Sequence, residues 1–167
     1  MEGLDVVLRP ARSGDSEGLA RALVDLAEQY VGLDPERFQV PVVDLARVEA
    51  ELREPVPPDR IWLVAELDGE AVGEVQAFVE EPLEDPETQA QLDVGLRRVY
   101  VNYLAVQARV RGRGIGGQLM EAVEGWARDR GAELLVTDTN LRSERAVRFY
   151  EQQGFTRQSV ILRKRIA

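Results

Sequence analysis

The sequence contains no cysteine and no histidine. The first absence excludes disulfides, thiolate metal sites and a covalent cysteine nucleophile. The second removes the commonest general base and the commonest metal ligand, so no metal is expected. No run of about twenty apolar residues occurs, and no membrane span is expected. The opening Met1-Glu2-Gly3-Leu4-Asp5 has neither a basic start nor an apolar stretch, so no secretory signal is expected and the expected location is cytoplasmic. Positive charge is also short: 21 Lys and Arg stand against 30 Asp and Glu, a formal net charge of -9. That balance argues against general nucleic-acid binding. It suits a cationic ligand, and it serves solubility equally well. Repeats, linkers and low-complexity tracts are absent too, and 167 residues suit one domain over 1–167 with a sizeable core.

What is present is organised around Leu104 to Trp126. An apolar, Tyr-containing run up to Val106 has the character of a strand. Gly112, Gly114, Gly116 and Gly117 come next. Ile115, Leu119, Met120, Val123 and Trp126 then recur at helical spacing. In a strand, glycine turn and helix taken in that order, backbone amides approach a ligand closely. The helix start adds unpaired N–H groups and the positive end of the macrodipole. Together these form an anion site suited to a diphosphate. Arg109, Arg111 and Arg113 place further positive charge at the same mouth. The plain alternative is a tight turn with solvated arginines. A P-loop would need Gly-Lys-Ser/Thr, and Gly116-Gly117-Gln118 does not supply it. Gly112-x-Gly114-x-x-Gly117 fits the letters of a dinucleotide fingerprint, but it lies far from the start of the chain.

Arg111-Gly112-Arg113-Gly114-Ile115-Gly116 resembles the R/Q-x-x-G-x-G/A signature of the GNAT superfamily of acyl-CoA-dependent N-acyltransferases. Downstream, Asn140, Ala146, Phe149-Tyr150 and Gly154-Phe155 resemble that family's second motif, in the same order and spacing. The resemblance covers Ile61 to Thr156 well and the N-terminal part more loosely. It implies an α/β GNAT fold, with a mixed, strongly twisted central sheet and helices on both faces.

Taken in order, Val6 to Arg9 reads as a first strand ended by Pro10. Ser13 to Ser16 offers N-caps for a helix to about Tyr30, and Val31 to Gln39 reads as a loop. Pro41 can open a second helix to about Arg53. Ile61–Glu66 and Ala71–Val79 read as strands, joined by a hairpin at Asp68-Gly69. Glu80 to Gly95 is an acidic connector with room for a helical turn at Pro86. Leu96 to Val106 is the central strand, and the main helix runs to about Arg130 with Gly131 after it. Leu134–Thr137 is a buried strand. Ser143 caps a last helix to Gln153, and Phe155 to Ile166 is expected to form one or two terminal strands.

The resemblance implies acetyl transfer from acetyl-CoA directly to a primary amine of a small molecule or protein, with no covalent enzyme intermediate. It places Leu104, Ala105 and Val106 along the pantetheine arm. Amides of Arg111, Gly112, Arg113, Gly114, Ile115, Gly116 and Gly117 would hold the pyrophosphate. It puts Asn140 on the pantetheine side and makes Tyr150 the acid for the departing thiolate. Family members often carry a carboxylate base on the central strand, and Arg97 to Leu104 has none. Glu74, on the preceding strand, is the candidate base; a water chain to bulk, Asp138 or Glu144 are alternatives. Tyr100, Asn102 and Tyr103 are placed to line the acceptor site or order a water. A homodimer is possible by the same resemblance. Two other classes stay open: an acyl-CoA-binding regulatory or interaction module with little turnover, and a nucleotide-binding protein.

Overall fold

The computed structural model describes residues 5–164 and 166. Five strands form one sheet: β1 (Val6–Pro10), β2 (Arg60–Leu67), β3 (Glu70–Glu80), β4 (Arg98–Val106) and β5 (Leu134–Thr137), in the order β1-β2-β3-β4-β5. β1 to β4 are antiparallel to their neighbours, whereas β5 runs parallel to β4. A parallel pair needs a crossover, and the helix α3 (Ile115–Asp129) supplies it. Asp68 and Gly69 join β2 to β3 with φ of 53° and 80°. Two successive left-handed residues match the strand twist in a two-residue hairpin turn.

Alternate strand residues serve two cores. Ala65, Val72, Val75, Val99 and Val101 pack with Ile115, Leu119, Met120 and Val123 of α3. Val64 and Ala71 pack instead with Leu19 and Leu52, beneath α1 (Ser16–Leu33) and next to α2 (Leu45–Glu51). The helices therefore cover both faces. α1 lies very close to the sheet: a Cβ on Gly18 would sit 2.2 Å from the Ala71 carbonyl oxygen. The buried Gln107 amide ties the two together, donating to the Gly18 carbonyl at 3.0 Å and the Ala71 carbonyl at 2.9 Å. The last helix, α4 (Glu144–Gln152), is capped by Ser143, whose hydroxyl accepts from the Ala146 N–H.

Several bounds differ from the expected ones. α1 runs to Leu33 rather than Tyr30, and the Asp15 carboxylate before it does not cap it. That carboxylate accepts from the Arg12 N–H and pairs with Arg9. α2 starts at Leu45 rather than Pro41, because Asp44 caps it by accepting from the Arg47 N–H, and it ends at Glu51. The valines Val42 and Val43 ahead of that cap are poor helix formers. β4 starts at Arg98 rather than Leu96, since residues 92–95 form a short 3-10 turn. The expected terminal strands are not formed over residues 155–164. There Val160, Ile161 and Leu162 stand together and exposed. Three adjacent apolar residues lack the period-two pattern that directs one strand face to a core. Arg165 lies outside the described residues.

One irregularity divides the central strand in two. Gln76 of β3 pairs with Tyr103, but Ala77 pairs with Val101, so Asn102 is an extra residue in β4. The pairing of β4 with β5 also ends at Val101, opposite Thr137. A bulge bends its strand and exchanges the faces of the residues beyond it. Val99 and Val101 therefore face α3, whereas Tyr103 and Ala105 face α1.

Candidate active site

Past the bulge, β4 and β5 separate, and a cleft of about 910 Å³ opens between them. Its walls include Tyr30 of α1, Tyr103 and Leu104 of β4, Thr137 of β5, Asn140 and Tyr150. Leu104 and Val106 are half-buried and Ala105 is buried. The Val106 carbonyl accepts from Arg111 Nε at 2.7 Å, and Arg111 also reaches Gln29 Oε1 at 3.3 Å. Burial, then the neighbouring Arg145, holds the Arg111 guanidinium below its ordinary pKa, with Asp25 opposing.

The glycine turn enters α3 with Gly112 at φ 77° and Gly114 at φ 84°. These left-handed residues let the chain reverse so that α3 begins at Ile115 with its first N–H groups unpaired along the helix. Gly116 lies under Phe149, where a Cβ would be 3.3 Å from the ring. Gly117 lies beside Gln153. α4 is thereby brought against the start of α3. Arg113 is exposed, while Arg109 turns away from the turn to Glu70 at 2.8 Å and Gln107 at 2.8 Å. Two of the three expected arginines thus stay near the helix start.

Asn140 Oδ1 accepts from the Arg142 N–H at 3.0 Å, as in a turn. Its Nδ2 is buried and has no partner among the described residues. Tyr150 packs edge-on against Phe149 and Phe155, at 5.1 Å and 5.5 Å between centroids. Burial raises the pKa of its phenol; Thr137 opposes this, and Tyr30 and Asp138 add to it. The phenol therefore keeps its proton at neutral pH and has one to donate.

Glu74 is only 4% exposed. Its Oε2 accepts from Trp62 Nε1 at 2.7 Å and from Gln76 Nε2 at 3.2 Å. Burial pushes its pKa up, and the charge of Asp15 adds to this against those two hydrogen bonds. Glu74 does not line the cleft, but Tyr103 does. Of the alternative carboxylates, Asp138 lines the cleft, where it is exposed and accepts from the Tyr100 hydroxyl, whereas Glu144 lies outside the lining, exposed beside Arg148. The hydrogen bond to Asp138, then burial, pushes the Tyr100 phenol up to about 12. Sequence reasoning missed Tyr30, Phe38 and Thr137 as cleft residues. Tyr30 and Phe38 stack at 4.9 Å, and no local pattern announces that pairing.

Residues 33–155 match the family model of the acetyltransferase (GNAT) family, and the chain belongs to that family. It is 33% identical over 94 residues to the mouse probable N-acetyltransferase family 8 member 5, covering 56% of this chain and 37% of that one. It is 32% identical over 99 residues to the Klebsiella pneumoniae aminoglycoside N(6')-acetyltransferase type 1, covering 59% of this chain and 48% of that one. The chain thus spans less than half the length of these two relatives. A tetramutant of the BH1408 protein from Bacillus halodurans has the same fold, with TM-score 0.79 and 22% identity over 96% of this chain and 99% of the other. No helix among the described residues is long and apolar enough to cross a membrane.

Proposed function

We propose that the protein is an N-acetyltransferase that moves the acetyl group of acetyl-CoA directly to a primary amine of a small molecule or protein. The observation that carries this reading is the junction where β4 leaves β5. There Leu104, Asn140, whose Nδ2 has no partner among the described residues, and Tyr150 line one cleft, while the glycine turn that opens α3 follows β4 outside that lining. A long ligand with a diphosphate at one end and amide groups at the other matches this donor set. Amides from Arg111 to Gly117 hold the diphosphate, with Arg111 and Arg113 near it. Leu104 to Val106 line the pantetheine arm, and Asn140 donates to it. The bound thioester supplies an activated acyl group and a thiolate leaving group.

The chain's own groups supply the proton chemistry. An ammonium has no lone pair, so the acceptor must first lose a proton. Glu74 is the carboxylate for this task, since its raised pKa brings it closer to working pH than an ordinary glutamate. Tyr150 holds a proton at its phenol oxygen for the departing sulfur. The acidic balance of the chain suits a cationic acceptor. An aminoglycoside, the acceptor class in the name of the Klebsiella relative, is a cationic amine of this kind.

The test is thermal unfolding with acetyl-CoA, CoA, ATP and NAD side by side, followed by thiol release with amines. A ligand at about a hundred times its dissociation constant adds roughly 2.7 kcal/mol of stability. A shift with the two CoA species alone supports the reading, whereas a larger shift with ATP or NAD overturns it. The burial of Glu74 away from the cleft favours a second reading, an acyl-CoA-binding module with little turnover. Tyr150→Phe separates the two. In an enzyme the rate falls by about 100-fold or more while CoA binding stays; a binding module has no turnover to lose.

A further inference from the structure

We propose that Tyr103 is the relay through which Glu74 takes the proton of the acceptor amine, a proposal that rests on the acetyltransferase reading above. Two facts need each other. Glu74 is a buried carboxylate that does not reach the cleft wall. The Tyr103 hydroxyl is buried, belongs to a residue on that wall, and has no hydrogen-bond partner among the described residues.

The strand register places them together. Gln76 pairs with Tyr103 and Glu74 with Ala105, so Tyr103 and Glu74 are diagonal neighbours on one sheet face. Such neighbours are within reach of long side chains. Without the extra Asn102, Tyr103 would share the α3 face with Val101. Glu74 also takes both its hydrogen bonds, from Trp62 and Gln76, on Oε2. Oε1 takes neither. The titratable groups facing Glu74 are few: Asp15 before α1, matched by Arg9 at 2.7 Å, and the neutral phenol of Tyr103 from β4. No cation pairs with Glu74 among the described residues, so its ionisation tracks the proton it exchanges through Tyr103.

A phenol donates one hydrogen bond and accepts others. As the ammonium gives a proton to the Tyr103 oxygen, that oxygen gives its own proton to Glu74 Oε1, directly or across one water. The amine ends neutral and Glu74 ends protonated. Tyr103 starts and finishes as a neutral phenol, and no electrons change hands. Glu74 then releases the proton to solvent before the next turnover. A buried hydroxyl with no partner lowers stability. Its removal should therefore make the protein more stable and slower at once, which a packing role would not do.

The experiment compares the full chain with Tyr103→Phe, Glu74→Gln and the double variant. Spermidine, kanamycin and a lysine-containing peptide serve as amine probes, and kcat/KM is measured against pH with the fastest of them. Tyr103→Phe should lower kcat at least about 10-fold and flatten the acidic limb of the profile. It should leave KM for acetyl-CoA unchanged and Tm equal or higher. Glu74→Gln should do the same to the profile, and the double variant should lose no more than either single one. A Tyr103→Phe protein with the unaltered profile overturns the relay, as does one whose Tm falls with its rate. A slow Tyr103→Phe protein beside a fully active Glu74→Gln protein overturns Glu74 as the base. No thiol release by the unaltered protein with any probe overturns the acetyltransferase reading beneath the proposal.

Discussion

Adding one methyl group at Gly18 should destabilise the protein, and adding one at Gly125 should stabilise it. Both glycines lie inside helices, and on helix propensity alone each change to alanine gains up to about 1 kcal/mol. Space decides the sign. At Gly18 the new Cβ would lie 2.2 Å from the Ala71 oxygen and 2.9 Å from its Cβ, and real Cβ atoms essentially never come under 3.0 Å. The contacting atoms are backbone and the first carbon of a strand residue, so no rotamer relieves them. α1 must retreat from β3, which strains a packed layer by about 1–3 kcal/mol. The retreat also pulls Gly18 from the buried Gln107 amide, bonded at 3.0 Å, and an unmade buried bond costs about 1–3 kcal/mol. The net expectation is a loss of about 2–3 kcal/mol. For a chain of this size that is a fall in Tm of roughly 4–12 °C. A Cβ on Gly125 would meet no atom within 4 Å, so Gly125→Ala should raise Tm by roughly 1–4 °C. Paired thermal and urea unfolding reads both. A Gly18→Ala protein as stable as Gly125→Ala would refute the close seating of α1 on the sheet, and with it the position of Tyr30 in the cleft.

Asp15 offers a second measurement. Burial raises its pKa, but the Arg9 hydrogen bond, the Arg12 N–H and the charges of both arginines outweigh that and leave it lowered. A lowered folded pKa contributes stability that is full above the unfolded value of about 3.9 and is lost as pH falls through the folded value. Asp15→Asn should therefore cost about 3 kcal/mol at pH 7 and progressively less below pH 4, as unfolding across that range will record. Glu74 has the opposite sign: its raised pKa means that ionisation disfavours the folded state as pH rises through it. Glu74→Gln should be no less stable than the unaltered protein at pH 8, which unfolding at that pH will read. Gly114→Ala places a side chain at φ 84°, a strain of about 1–2 kcal/mol. Calorimetry should show weaker acetyl-CoA binding in that variant, and unchanged affinity would remove the glycine turn from the donor site.

Much of the framework is legible because its signals are local. Asp68-Gly69 turns the chain wherever it lies, and the β5 run Leu134–Thr137 stands between a helix stop and a polar turn. Ser143 caps the next helix through a contact three residues away. The motif residues from Arg111 to Gly117 likewise sit on one turn. What stayed hidden depends on partners distant in sequence. Arg109 looks the same as Arg111 and Arg113 until Glu70, on another strand, claims it. Glu74 reads as an ordinary strand glutamate until Trp62 and Gln76 bury it. The terminal segment has strand-forming residues, but a strand exists only with a partner in register, and residue composition does not provide one.

Asn102 shows how little sequence such a dependence needs. Taken alone, Val99 to Val106 is an apolar run with one polar interruption, and alternation would put Val101 and Tyr103 on the same face. The structure gives β4 one residue more than β3 between the pairs at Val101 and Tyr103. That single insertion has two consequences at the same point. It ends the pairing with β5 at Thr137 and so opens the cleft. It also turns Tyr103 from the α3 core to the face that carries Glu74. One residue in β4 thus sets both where the two strands part and which face carries the Tyr103 phenol, on the side of the sheet that holds the buried Glu74.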